Sequence, residues 1–216
     1  MERRTTRFFA VGAAVLLAAA RLAAQQAAVL DHAMTIQYNV RIPMHDGVTL
    51  SADIYRPADD ARHPTIFELT PYNNNSNNSM EGAWRWVRRG YAFVTVDVRG
   101  RFDSDGAFTP YRSDGPDGSD VMDWVAGQGW SNGKVATIGG SYLGKNQWEM
   151  AKQNNPHHVA MAPYVAPQDD FFDLSRYDGV PKLDLMYTWL MGMDGRVAQS
   201  PAGWKWGAIM RQLPLV

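Results

Sequence analysis

The stretch Val135 to Gly144, VATIGGSYLG, contains the residues best suited to covalent chemistry. A short apolar run, a glycine pair, a serine and a helix-forming segment follow one another without a gap. That succession is the pattern of a nucleophile elbow, in which a serine on a sharp strand-to-helix turn projects its hydroxyl above a sheet. Small neighbours are needed there because strand and helix pass close together. Gly139 lies two residues before Ser141, Gly140 directly before it, and Gly144 three after it rather than the commoner two. A helix N-terminus behind the serine would aim free N–H groups and a partial positive charge at an oxyanion. The same pattern also fits a turn that is glycine-rich for packing alone. A dinucleotide-binding turn requires G-x-G-x-x-G, a spacing this segment lacks.

Stepping outward from the serine, the chain reads as strands alternating with helices. Thr35 to Pro43 alternates apolar and polar residues through Ile36, Tyr38, Val40 and Ile42, and Asp46-Gly47 signals a tight turn before Val48 to Tyr55 resumes the alternation. Thr65 to Leu69 is a short apolar strand, Pro71 to Ser79 an Asn-rich loop, and Ala83 to Arg89 a short helix ending at Gly90. Tyr91 to Val98 is a near-continuous β-branched and aromatic run, expected of a strand covered on both faces. Arg99 to Asp114 is a long loop, Asp117 to Ala126 a helix, Lys134 to Ile138 a strand, Tyr142 to Gln153 a helix, and Val159 to Val165 a further strand. A hairpin followed by strand–helix–strand units predicts an α/β fold with a mixed, mostly parallel sheet flanked by helices. From Asp169 onward the sequence turns rich in Trp, Met and Leu at helical spacing (Leu183, Met186, Leu190; Trp204, Met210), which reads as the start of a helical subdomain.

The first two dozen residues form a different object. Arg3, Arg4 and Arg7 precede an apolar run from Phe8 to Ala20, and Leu22, Ala23 and Ala24 offer a cleavage site before Gln25. The run is well short of the roughly twenty residues of a spanning helix, so export with removal of residues 1–24 is expected, in preference to a membrane anchor. The surroundings of Arg3-Arg4 match a twin-arginine signal poorly, which favours the general secretory route. Expected boundaries are therefore a leader at 1–24, a catalytic-domain portion at 25–168 and an incomplete cap at 169–216. The net charge of −1 becomes about −4 without the leader, which gives no electrostatic reason to expect a nucleic-acid partner. With no cysteine in 216 residues, neither disulfides nor thiolate metal sites are available. No metal or organic cofactor is expected, and the expected partner is a small ester or peptide substrate.

Four blocks carry a family resemblance: VRIPMHDGVTLSADIYRP (Val40–Pro57), LTPYN (Leu69–Asn73), VTVDVRGRFDSDG (Val94–Gly106) and DWVAGQGWSNGKVATIGGSYLG (Asp123–Gly144). In this order they are similar to the X-prolyl dipeptidyl peptidase-like hydrolases, a group that includes cocaine esterase and the α-amino-acid ester hydrolases. The resemblance runs from residue 36 to about 170 and implies an α/β-hydrolase fold. It also implies that Ser141 is the acyl-accepting nucleophile, that the Tyr142 backbone N–H is one oxyanion donor and that the Tyr72 phenol O–H is the other. A hydrolase of this kind acts on esters or peptide-like amides through an acyl-enzyme.

The same resemblance exposes a gap. A serine of this fold needs Asp or Glu and then His later in the chain. His32, His45 and His63 precede Ser141, while His157 and His158 follow a helix that carries them away from the elbow. The acidic residues Asp169, Asp170, Asp173 and Asp178 read either as solvated carboxylates or as groups that hold a substrate's ammonium, Asp169 and Asp170 first among them. The family's acid and base both come after the helical cap, so the sequence is expected to be part of a longer enzyme, inactive in isolation. The rival expectation is a shortened, non-catalytic binding protein on the same fold.

Overall fold

The computed structural model describes residues 33–167, 169, 176–177, 179–200, 203–209 and 211. The proposed leader and the residues Asp170, Asp173, Asp178 and Met210 lie outside these. A six-stranded sheet in the order β1-β2-β4-β3-β5-β6 organises the chain. Its strands are β1 (Met34–Pro43), β2 (Thr49–Pro57), β3 (His63–Thr70), β4 (Ala92–Asp97), β5 (Ser131–Gly140) and β6 (His158–Tyr164). β1–β2 and β2–β4 pair antiparallel, whereas β3–β4, β3–β5 and β5–β6 pair parallel. The sheet is thus mixed and mostly parallel, as the alternation of strand and helix signals predicts. Two further strands, β7 (Arg176–Tyr177) and β8 (Val180–Pro181), form a separate antiparallel ribbon.

The first hairpin closes at Asp46-Gly47, where Gly47 takes a φ of 85° and its N–H donates to the Met44 carbonyl at 3.0 Å. Its alternation is interrupted, however. A bulge falls between Gln37 and Val40, with Asn39 at a φ of 52° and its N–H donating to the Asp53 carboxylate at 2.9 Å. The bulge puts the strand out of phase, so Tyr38 is exposed while Ile42 is fully covered.

Period-2 alternation in the inner strands sorts two apolar layers. Ala52, Ile54, Phe67, Leu69, Val94 and Val96 face the helices α2 (Asp114–Ala126) and α3 (Tyr142–Ala151), meeting Val121, Met122, Val125 and Met150. Tyr55, Ile66 and Phe93 face the opposite way, onto Ala83 and Val87 of α1 (Asn77–Val87). Every residue of β4 is buried, in keeping with its unbroken β-branched and aromatic run. α1 begins six residues earlier than the Asn-rich sequence predicts. Ser76 caps it by accepting the Ser79 N–H at 3.2 Å, and this cap recruits Asn77 and Asn78 despite their poor helix propensity. α2 likewise starts at Asp114, three residues early, with Pro116 in its first turn, where no intrahelical N–H is required. Beyond the sheet, α4 (Leu183–Gly192) realises the helical spacing of Leu183, Met186 and Leu190, and α5 (Trp206–Ile209) is a single turn.

Candidate active site

β5 delivers the chain to Ser141 and α3 carries it away, and the turn between them is strained. Ser141 has φ 56° and ψ −120°, a region that L-residues rarely occupy. The strain is held from outside the turn: the Ser141 N–H donates to the carbonyls of Tyr164 and Val165, both at 3.2 Å, at the end of β6. The result is an exposed serine at the carboxyl end of a parallel strand, where α/β sheets place their ligands.

The glycines make this turn possible by close approach. A Cβ on Gly139, whose φ is 151°, would lie 2.3 Å from the Cβ of Leu143; one on Gly140 would lie 2.3 Å from the Tyr164 ring. At Gly144 it would lie 2.7 Å from Ala166 and 2.9 Å from the Tyr164 carbonyl. This accounts for the unusual spacing after the serine. The residue two positions on is Leu143, which uses the space Gly139 leaves, while Gly144 is the point at which α3 passes the end of β6.

Tyr142 occupies the first position of α3, so its N–H has no carbonyl one turn back within the helix. Its side chain turns inward and is almost wholly buried. The ring stacks on Tyr111 at 4.2 Å between centroids and on Trp189 at 6.1 Å, and meets Tyr72 edge-on at 6.4 Å. Its phenol oxygen accepts the Tyr111 N–H at 2.9 Å and lies beside the buried Asp114 carboxyl. Burial pushes Asp114 up to about 7 despite the polar groups of Tyr142 and Asn146 nearby, and burial beside Asp114 pushes the Tyr142 phenol up as well.

Tyr72 follows β3 and is 40% exposed; its phenol oxygen accepts the Trp189 indole N–H at 3.4 Å. Tyr72 and Ser141 line one cavity of about 530 Å³, together with Glu68, Trp86, Gly140 and Tyr164. The sequence reading missed Glu68, a carboxyl in this cavity that burial pushes up to about 7. It also missed two amides. Gln147, fully buried, donates to the carbonyls of Gly139 and Leu143 and accepts from Ala162 N–H and the Thr137 hydroxyl, binding α3 to β5 and β6. Asn146 donates to the Leu69 carbonyl at 2.7 Å, binding α3 to the strand that leads to Tyr72. Their one sequence signal is that they are polar residues within two turns of Ser141.

The remaining predicted residues lie elsewhere. Asp169 is exposed and is absent from the described residues that line the cavity. His158 pairs across from Val135, six residues before Ser141 and so about 20 Å down the sheet, and its ring bonds to the Thr137 hydroxyl at 2.9 Å. His157 bonds to the Gly133 carbonyl, His63 to Asp59 and the Gly90 carbonyl, and His45 to Asp120. No described histidine lines the cavity.

Comparison with known proteins agrees with this geometry. The model of the X-Pro dipeptidyl-peptidase (S15) family matches residues 46–212. The chain belongs to that family. It is 37% identical over 148 residues to cocaine esterase of a Rhodococcus species, an alignment covering 65% of this chain and 25% of the esterase. A CocE/NonD family hydrolase from Staphylococcus aureus superposes with a TM-score of 0.69 at 28% identity, over 74% of this chain and 33% of that one. An α-amino acid ester hydrolase superposes with a TM-score of 0.67 over 81% of this chain and 33% of its own; at 24% identity it supports the α/β-hydrolase fold alone. The chain spans between a quarter and a third of the length of these S15-type relatives.

Proposed function

We propose that this S15-family chain is the N-terminal part of an exported serine hydrolase that cleaves esters or peptide-like amides through an acyl-enzyme on Ser141. The strained φ of Ser141, beside a cavity shared with Tyr72, carries the reading. In the mechanism, the Ser141 hydroxyl attacks the substrate carbonyl and the charge on the resulting oxyanion meets the Tyr142 N–H and the Tyr72 O–H. Collapse expels the alcohol or amine, and water then releases the acid. The base that takes the serine proton, and the acid that orients it, come from chain beyond the 216 residues, so the isolated segment is inactive. Residues 1–24 act as a secretory leader, and neither nucleic acid nor cofactor takes part.

Two measurements test this. The intact mass of the mature protein from its native source is expected to lie well above the 24.1 kDa of this chain. A fluorophosphonate probe is expected to label that protein on the peptide containing Ser141. A second reading, a non-catalytic binding protein, is favoured by the absence of described histidines from the cavity. A mature mass near that of this chain less its leader, with no labelling, would establish that second reading.

A further inference from the structure

Arg101 is the largest fully buried side chain among the described residues, and it spends its donors on backbone carbonyls rather than on a carboxylate. Its Nε donates to Pro71 at 3.2 Å, and its Nη1 to Met193 at 2.9 Å, Gly195 at 2.5 Å and Val197 at 3.5 Å. The guanidinium lies 5.1 Å from the centroid of Phe102 and 5.3 Å from that of Phe108. Burial pulls it below its usual range, while the nearby Asp97 favours its charge. The segment it grips returns the grip. Arg196 donates to the Ser104 carbonyl at 2.7 Å and the Phe102 carbonyl at 3.3 Å, and its own carbonyl accepts the Phe102 N–H at 2.7 Å. Two arginines thus exchange places across the junction of the 99–106 loop and the cap.

Both ends of this clasp reach Tyr72. Pro71 directly precedes it, and the gripped segment directly follows α4, whose Trp189 donates to the Tyr72 phenol oxygen. An indole nitrogen can only donate, so Tyr72 is the acceptor in that bond and keeps its own proton for another acceptor. We propose that Arg101 is a positioning residue: it fixes the cap against the loop carrying Tyr72, so that Trp189 turns the phenol into an outward donor for the oxyanion. Resting on Tyr72 as the second oxyanion donor, this adds the device that aims it. A guanidinium is required because two separate nitrogens are used: Nη1 serves Met193, Gly195 and Val197 while Nε serves Pro71, and a lysine ammonium offers its donors from one point only.

The test is a double-mutant cycle on the rate of Ser141 acylation in the protein at its native length. Arg101→Met is expected to slow acylation about 10-fold with substrate KM little changed, Arg101→Lys to restore only part, and Arg101→Met to add less than about 2-fold when Tyr72 is already Phe. Equal losses in both backgrounds, or no loss, would overturn the proposal. Should Arg101→Met fail to fold, Arg196→Met removes the other half of the clasp and is expected to give a smaller loss with the same dependence on Tyr72. Hydrogen exchange on the same native-length protein needs no activity. Arg101→Met is expected to speed exchange at both 193–199 and 72–75, Arg196→Met at 193–199. Loosening at 193–199 alone in Arg101→Met would overturn the coupling even if Ser141 proves catalytic, and absent acylation in the unmodified protein would instead indict the hydrolase reading.

Discussion

Leu143 stands where a side chain on Gly139 would have to be, its Cβ 2.3 Å from that position. The elbow is therefore closed around its glycine, and an added methyl group must displace either β5 or α3. Overpacking of a tight site costs about 1–3 kcal/mol, and the φ of 151° adds backbone strain for any L-residue. Gly139→Ala is expected to lower Tm by roughly 5–10 °C, taking about 2–4 °C per kcal/mol for a chain of this size. Gly129→Ala, where nothing lies within 4 Å, serves as the control and should shift Tm little. Equal shifts at the two sites would mean that the close approach does not constrain the turn.

Ser141 is held in a conformation that costs a residue with a side chain about 1–3 kcal/mol and costs glycine almost nothing. Ser141→Gly should therefore be more stable than Ser141→Ala by about 1–2 kcal/mol, although both remove the hydroxyl. Urea denaturation of the two variants reads the difference directly. If Ser141→Ala proves the more stable, the turn stores no strain and the observed φ has no energetic meaning.

Most of the sheet was legible because its order follows apolar periodicity and glycine punctuation, both local properties. The Asp46-Gly47 hairpin is read from the alternation over Thr35 to Tyr55, and the run into Ser141 from Val135 to Gly144. The bulge at Asn39 was hidden because its cause, the Asp53 carboxylate, lies fourteen residues away on the partner strand. α1 began early for a similar reason: Asn propensity argued for loop, and the Ser76 cap prevailed. At the site, Ser141, Tyr72 and Tyr142 were legible from motif and family resemblance. Glu68, Arg101, Asn146 and Gln147 were not, because a polar residue inside an apolar strand, on a helix or in a Gly- and Asp-rich loop shows no sign of what it will meet across the fold.

Tyr72 is 40% exposed and its phenol oxygen's bond from the Trp189 indole lies at the surface, so losing the hydroxyl removes no buried packing. If the phenol O–H meets the oxyanion, Tyr72→Phe should lower the acylation rate at Ser141 by about 10²–10³. Tm should stay within about 2 °C, since a substitution on an exposed side chain changes stability by about 0.5 kcal/mol or less. Stopped-flow acylation with an activated ester, on the protein at its native length, separates the two effects. Unchanged acylation would remove Tyr72 from the oxyanion site and with it the reason for the Trp189 contact.

Asp114 gives the structure a pH dependence of definite sign. Burial raises its carboxyl to about 7 in the folded chain, whereas an unfolded aspartate titrates near about 3.9. Between those values the folded state keeps a proton that the unfolded state has released. Stability from this group is thus complete below about pH 4 and is lost as pH rises toward about 7. Asp114→Asn has no proton to lose and keeps a group able to bond to the Tyr142 phenol. Asp117, also raised by burial, and Glu149, lowered by Lys145 and Lys152, titrate in both proteins and cancel in the comparison. Unmodified protein should therefore lose more Tm than Asp114→Asn between about pH 4 and about pH 8. Parallel Tm profiles across that range would show that the Asp114 carboxyl ionises in the folded chain as it does in the unfolded one, and that the Tyr142 phenol is held by the Tyr111 N–H without a protonated partner.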